Sequence, residues 1–131
     1  MTARTRECSE IIRAGRLTKA KEFYAAAVLV ENAAPNASVD LFVDAGIAAA
    51  DVICCSRLGV YAAGENHNDP VALLEKAEPG VAKYLRTLLN LKSKVAYTHQ
   101  SVTTEEHKKA GRAAENLVEA ASRIKPAAGQ T

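Results

Sequence analysis

Apolar positions recur at intervals of three and four along most of the chain, and the breaks between these runs are short. The first run extends from about Thr5 towards Glu31, with Gly15 as a possible bend. Its stripe is Leu17, Ala20, Phe23, Ala27 and Val30, the spacing of one helical face. Asn-Ala-Ala-Pro-Asn stops it, because Pro35 cannot continue a helix and restrains Ala34. A second helix is predicted from Asn36 or Ser38, both good N-caps, to Gly59 or Gly64. Val39, Val43, Gly46, Ile47, Ala50, Ile53, Cys54 and Leu58 form its stripe, uninterrupted by charge. That apolarity places this helix at the middle of a bundle.

Gly64-Glu-Asn-His-Asn-Asp-Pro70 reads as the interior loop. Asp69 can cap a short helix over Val71–Ala77 with Pro70 at its first position, and Pro79-Gly80 ends it. A fourth helix carries Val81, Leu85, Leu88, Leu91 and Val95 down to about Tyr97. Thr103-Thr-Glu-Glu106 is a capping-box pattern, since a Thr at the N-cap and a Glu three residues on satisfy each other's amides. The last helix presents Ala110, Ala113, Ala114, Leu117, Ala120, Ala121 and Ile124 and ends around Lys125-Pro126. No segment alternates long enough to predict a strand. The expected fold is all-α, an up-and-down bundle of four long helices plus one short helix. It forms a single domain over 1–131, with its core at about 17–125 and a flexible tail at 126–131.

Composition narrows the function. The chain has 131 residues, 48% apolar and 24% charged, with a net charge of +2. One ordinary domain fits that length, and the charge is too small for a nucleic-acid coat. The longest apolar run is too short for a membrane span, and Met1–Leu17 lacks the apolar centre of a secretory signal. A cytoplasmic protein with no membrane partner is expected. Cys54 and Cys55 are adjacent, where a disulfide between them would strain the intervening peptide. With Cys8 they show no zinc spacing, so all three read as small buried hydrophobes in a reducing compartment. The alanine clusters at 25–27, 48–50, 113–114 and 120–121 permit close helix approach and leave little room for a cofactor. Glu-x-x-His pairs, His-Glu-x-x-His, phosphate-cradling glycines and Gly-x-Ser-x-Gly are all missing. No cofactor and no metal are expected.

Three polar groupings remain. Asp40, Asp44 and Asp51 fall within about 40° of arc on the second helix. They read as a solvated edge or partners for cations on a neighbouring helix, or else as a row serving catalytic or RNA-binding cations. Asp51, enclosed by Ala48, Ala49, Ala50, Val52 and Ile53, requires a partner. His67 occupies the interior loop, a favoured place for functional side chains as well as for capping ones. The third grouping is Lys92-Ser-Lys94-Val-Ala-Tyr97-Thr-His99. It belongs to a stretch from Lys83 to Arg112 with seven basic residues against Glu105 and Glu106. Cations beside a ring and imidazoles suit a phosphodiester backbone, or simply a solvated basic face.

The Ala-rich helix Asp44–Asp51, the stretch Leu88-Leu-Asn-Leu-Lys92-Ser-Lys94-Val-Ala-Tyr97 and the closing helix Ala110–Ala121 together resemble a HEPN domain. This is the helical nucleotide-binding fold associated with prokaryotic toxin–antitoxin and RNA-processing systems, and the resemblance spans roughly Leu17 to Ile124. It implies a homodimer, RNA or nucleotide as ligand, and a partner such as a nucleotidyltransferase-type antitoxin. Catalytic members cut RNA with a closely spaced Arg and His. The nearest match here is Lys94, four residues, then His99, with Lys in place of Arg, whereas Arg57 and His67 lie too far apart. Ser101 stands where one toxin subgroup has a modified Tyr. The missing arginine favours a non-catalytic module that dimerises and binds RNA, a nucleotide or a protein, with Lys92, Tyr97, His67 and Asp51 as ligand-binding candidates. The alternative is a metal-independent endoribonuclease in which His99 is acid or base and Lys94 stabilises the phosphorane. A purely structural assembly subunit is the third reading.

Overall fold

A computed structural model describes residues 4–64 and 68–125. His67 and the tail 126–131 therefore lie outside the described residues. Four long helices and one short one follow in order: α1 (Glu10–Val30), α2 (Pro35–Leu58), α3 (Asn68–Ala77), α4 (Ala82–Tyr97) and α5 (Thr104–Arg123). A single 3-10 turn, Pro79–Val81, leads into α4. The expected all-α bundle is present, and among the described residues no helix is long and apolar enough to cross a membrane.

α2 is the axial element. Its first position is Pro35, so the residue expected to stop α1 instead starts α2, as the fixed φ of proline suits the first helical turn. Neither Asn36 nor Ser38 caps it. Ser38 is fully buried, and its hydroxyl donates to the carbonyl of Ala27 on α1 at 2.8 Å. Fifteen residues of α2 are buried, and α1, α3, α4 and α5 all pack on it. Small side chains allow this close approach: a Cβ added at Gly46 would collide with Leu88 of α4 and stand 3.3 Å from Leu117 of α5. Gly59 closes α2 at φ 72°, the left-handed conformation in which glycine carries no side-chain penalty.

The start of the chain corrects the sequence reading twice. α1 begins at Glu10, capped by Ser9, and runs through Gly15 unbroken. Thr5–Glu7 is instead a strand, β1, paired antiparallel with β2 (Val60–Ala62), with Arg6 opposite Tyr61. Three residues per strand are too few for alternation to be visible, and the pairing joins segments more than fifty positions apart. Beside this ribbon Cys8 and Cys55 form a disulfide with Cα atoms 5.4 Å apart. The reading of all three cysteines as inert hydrophobes thus holds only for Cys54, which is buried and free. Burial, with the nearby Asp51 carboxylate adding to it, raises the Cys54 thiol to about 12. A structural disulfide belongs with oxidising surroundings, so the cysteines no longer argue for a reducing compartment.

Candidate functional site

The link between α4 and α5 gathers the residues that the sequence singled out. α4 ends at Tyr97, between Lys94 and His99, so the two do not share a helix face. Lys94 is engaged elsewhere. Its Nζ donates to Glu106 Oε1 at 2.7 Å, and the same oxygen accepts from the Thr103 amide at 2.9 Å. Thr103 Oγ1 in turn accepts from the Glu106 amide at 3.1 Å, completing the expected capping box. Lys94 and the box hold the Glu106 carboxyl down at about 2, with the lysine contributing most. His99 lies in the exposed link and makes no side-chain hydrogen bond or ion pair among the described residues. Tyr97 is 74% exposed and equally unengaged. The link itself is fastened to α2, because Asn36 Oδ1 accepts from the Val102 amide at 2.8 Å.

Asp51 does have the partner its surroundings demand. Arg16 of α1 donates to its Oδ2 through Nε at 3.0 Å, and a terminal guanidinium nitrogen stands 2.9 Å from the same oxygen as an ion pair. This is the neighbouring-helix reading of the acidic row, and it removes Asp51 from the basic surface. Burial raises its carboxyl to about 6 even against the charge and the hydrogen bond of Arg16. Asp44 is also raised, first by burial and then by Asp40, while Lys92 and Arg16 pull the other way. Lys92 therefore sits in the field of the α2 acids.

Exposed cations of the basic stretch Lys83–Arg112 gather along α4 and α5. A groove of about 450 Å³ between α4 and α5 is lined by Tyr84, Thr87, Leu91, Lys109 and Arg112, with Asn90 and the engaged Glu106 also at its wall. Lys109 and Arg112 make no ion pair among the described residues. Lys83 stands over the Tyr84 ring, 5.2 Å from its centroid, a cation–π arrangement. Lys83 and Arg86 each lie one turn from a groove residue, Thr87 and Asn90. The arrangement offers the point charges of Lys83 and Lys109, the forked guanidiniums of Arg86 and Arg112 and a ring face, which can hold a phosphate backbone and stack a base. It presents no nucleophile with an adjacent base. Among the described residues no three His, Cys, Asp or Glu side chains come together to hold a metal ion.

One histidine not singled out by the sequence proves to be structural. His107 Nε2 lies 3.0 Å from Ser38 Oγ, and its ring tilts on Phe42 at 5.7 Å. Since the serine hydroxyl already donates to Ala27, the ring nitrogen is the donor to it. This chain of bonds staples α1, α2 and α5 together. The signal was legible in part: Ser38 lies one turn before Phe42, and His107 one turn before Gly111, which packs on that same ring.

Compared with known protein families, curated proteins and solved structures, the chain matches none.

Proposed function

We propose that this chain is a non-catalytic, HEPN-like helical module that holds single-stranded RNA against its α4–α5 face and pairs with a second copy of itself. The observation that carries the reading is the groove containing Tyr84, Lys109 and Arg112, whose cations have no carboxylate partner among the described residues. Lys94, which cleavage would require as a free charge, is tied to Glu106 instead. A nucleotide is the smallest ligand of the same chemistry, and a nucleotidyltransferase-type antitoxin is the protein partner that the family resemblance implies. A cytoplasmic location belongs to the same reading, and thiol trapping in intact cells tests it by reporting whether Cys8 and Cys55 are joined there.

Lys83, Arg86, Lys109 and Arg112 give four cations to set against phosphates. Counterion release then predicts a slope of about −3 in log K against log salt for a single strand, or roughly fifty-fold weaker binding at 200 mM than at 50 mM salt. Fluorescence anisotropy with a labelled RNA measures this directly. Lys109→Glu/Arg112→Glu is expected to weaken binding about tenfold or more and to flatten the slope by about 1.4. The RNA should remain intact on a denaturing gel, with or without chelator. Cleavage abolished by His99→Ala would install the endoribonuclease reading instead. A protein that neither binds nor cuts RNA would leave the assembly role.

A further inference from the structure

A larger concavity, of about 700 Å³, opens where the ends of α2 and α5 meet the start of α4. Its lining includes Ser56, Arg57, Tyr84, Asn116, Arg123 and Lys125. Ser56 is only 6% exposed, and among the described residues its Oγ is the one buried side-chain polar atom without a hydrogen-bond partner. A helical hydroxyl ordinarily satisfies itself on the carbonyl four residues back. Thr18, Thr87, Ser93, Thr98 and Ser122 all do so in this molecule. Ser56 does not, and an unpaired buried hydroxyl opposes folding. Its place in the lining of the cavity is what points to an external partner.

The charges around it define that partner. Arg123 and Lys125 make no ion pair among the described residues, and Arg57 meets Glu78 at 3.1 Å with half its side chain exposed. Three cations against this one carboxylate leave the cleft positive. Gly80 and Val81 also line it, where α4 begins without a side-chain cap; the Val81 and Ala82 amides are taken up by the Glu78 and Pro79 carbonyls, so α4 contributes only the positive end of its dipole. The carbonyl ends of α2 and α5 act in the opposite sense, and Arg57 and Arg123 in their last turns offset them. Tyr84 and Ile124 supply apolar wall.

We infer that this cleft binds a small molecule carrying an oxyanion, phosphomonoester or carboxylate, together with a hydroxyl that pairs with Ser56. The oxyanion lies between Arg123, Lys125 and the start of α4, and the carbon frame rests on Tyr84 and Ile124. Tyr84 borders both concavities, yet this site does not depend on RNA binding to the α4–α5 groove.

Amide shifts of the full chain, titrated with ribose 5-phosphate, glycerate and uncharged ribose, test the assignment. One or both anions should saturate at roughly 1 mM or below, moving Ser56, Gly80, Val81 and Asn116, while ribose does not. Response to the phosphate alone or to glycerate alone identifies which oxyanion the site takes. Ser56→Ala should weaken binding about fivefold while raising Tm by about 2–5 °C, because it removes an unpaired hydroxyl. Arg123→Gln should also weaken it, and Lys109→Glu/Arg112→Glu should leave it unchanged, which separates this site from the RNA reading. The inference is overturned if neither anion saturates by 10 mM, if ribose shifts the same amides equally, or if Ser56→Ala binds as tightly as the parent.

Discussion

Two ion pairs of similar length sit at opposite sides of the bundle and behave in opposite ways. Arg16–Asp51 joins α1 to α2, and Lys94–Glu106 joins α4 to the first turn of α5, at 2.9 Å and 2.7 Å. Yet the Asp51 carboxyl rises to about 6 while that of Glu106 falls to about 2. The difference lies in what surrounds the charge. Asp51 is buried to 9% exposure among alanines, so loss of water outweighs the charge of Arg16 and its one hydrogen bond. Glu106 keeps more of its water, with 27% of its side chain exposed against 13% for Asp51, and gains Lys94 and the Thr103 amide besides. A salt bridge thus reports its solvation as much as its partner. The α1–α2 half is held by covalent, strand and buried ionic links, whereas the α4–α5 half is fastened at its rim and leaves cations to solvent.

The disulfide should account for the largest part of that asymmetry. Closing a loop of 47 residues restricts the unfolded chain, and Cys8→Ser/Cys55→Ser is expected to cost about 2–4 kcal/mol in urea unfolding. Thiol titration of the unreduced, denatured parent should then find one free cysteine, Cys54. A count of three would remove the covalent half of the comparison.

Arg16→Met strands the buried Asp51 carboxylate. A loss of about 2–3 kcal/mol is expected at pH 8, and less at pH 5, where the carboxyl is already protonated. An equal loss at both pH values would show that Arg16 acts through packing alone.

The pH dependence of the parent sharpens the same point. Because folding raises the Asp51 pKa, the unfolded chain releases its proton first as pH rises. Stability should therefore fall by about 2–3 kcal/mol from near pH 4 to near pH 6.5 and level off above that. Asp51→Asn should abolish this decline, as followed by unfolding across the range.

Glu106→Gln should have the smallest effect and the opposite pH sense. The depressed pKa of Glu106 contributes stability that is present above about pH 4.5 and fades as pH falls towards 2. The variant should melt below the parent at pH 7 and together with it near pH 2. Releasing Lys94 in this variant also tests whether a free cation at the end of α4 confers RNA cleavage.

The helices were legible because each of them announces itself locally. Apolar spacing identified α2 as the axis, Thr103 and Glu106 marked the start of α5, and the enclosure of Asp51 by alanines required a partner before Arg16 was seen to be one. The site was less legible. Lys94 and His99 are near in sequence, but the helix end between them and the pull of Glu106 separate their roles. The basic groove appears only when α4 and α5 lie side by side, and Ser56 looks like one more small residue in an apolar run.

From its own residues the chain determined that it forms helices, where α5 begins, which faces turn inward and which carboxylate must find a cation, because capping, periodicity and desolvation act within a few residues. Tertiary packing decided the Cys8–Cys55 link, the β1–β2 ribbon, the Arg16–Asp51 and Lys94–Glu106 pairs, and the hydroxyl left unpaired at Ser56. Most of these contacts join positions far apart along the chain, and no local pattern encodes which distant groups will meet once the helices close on one another.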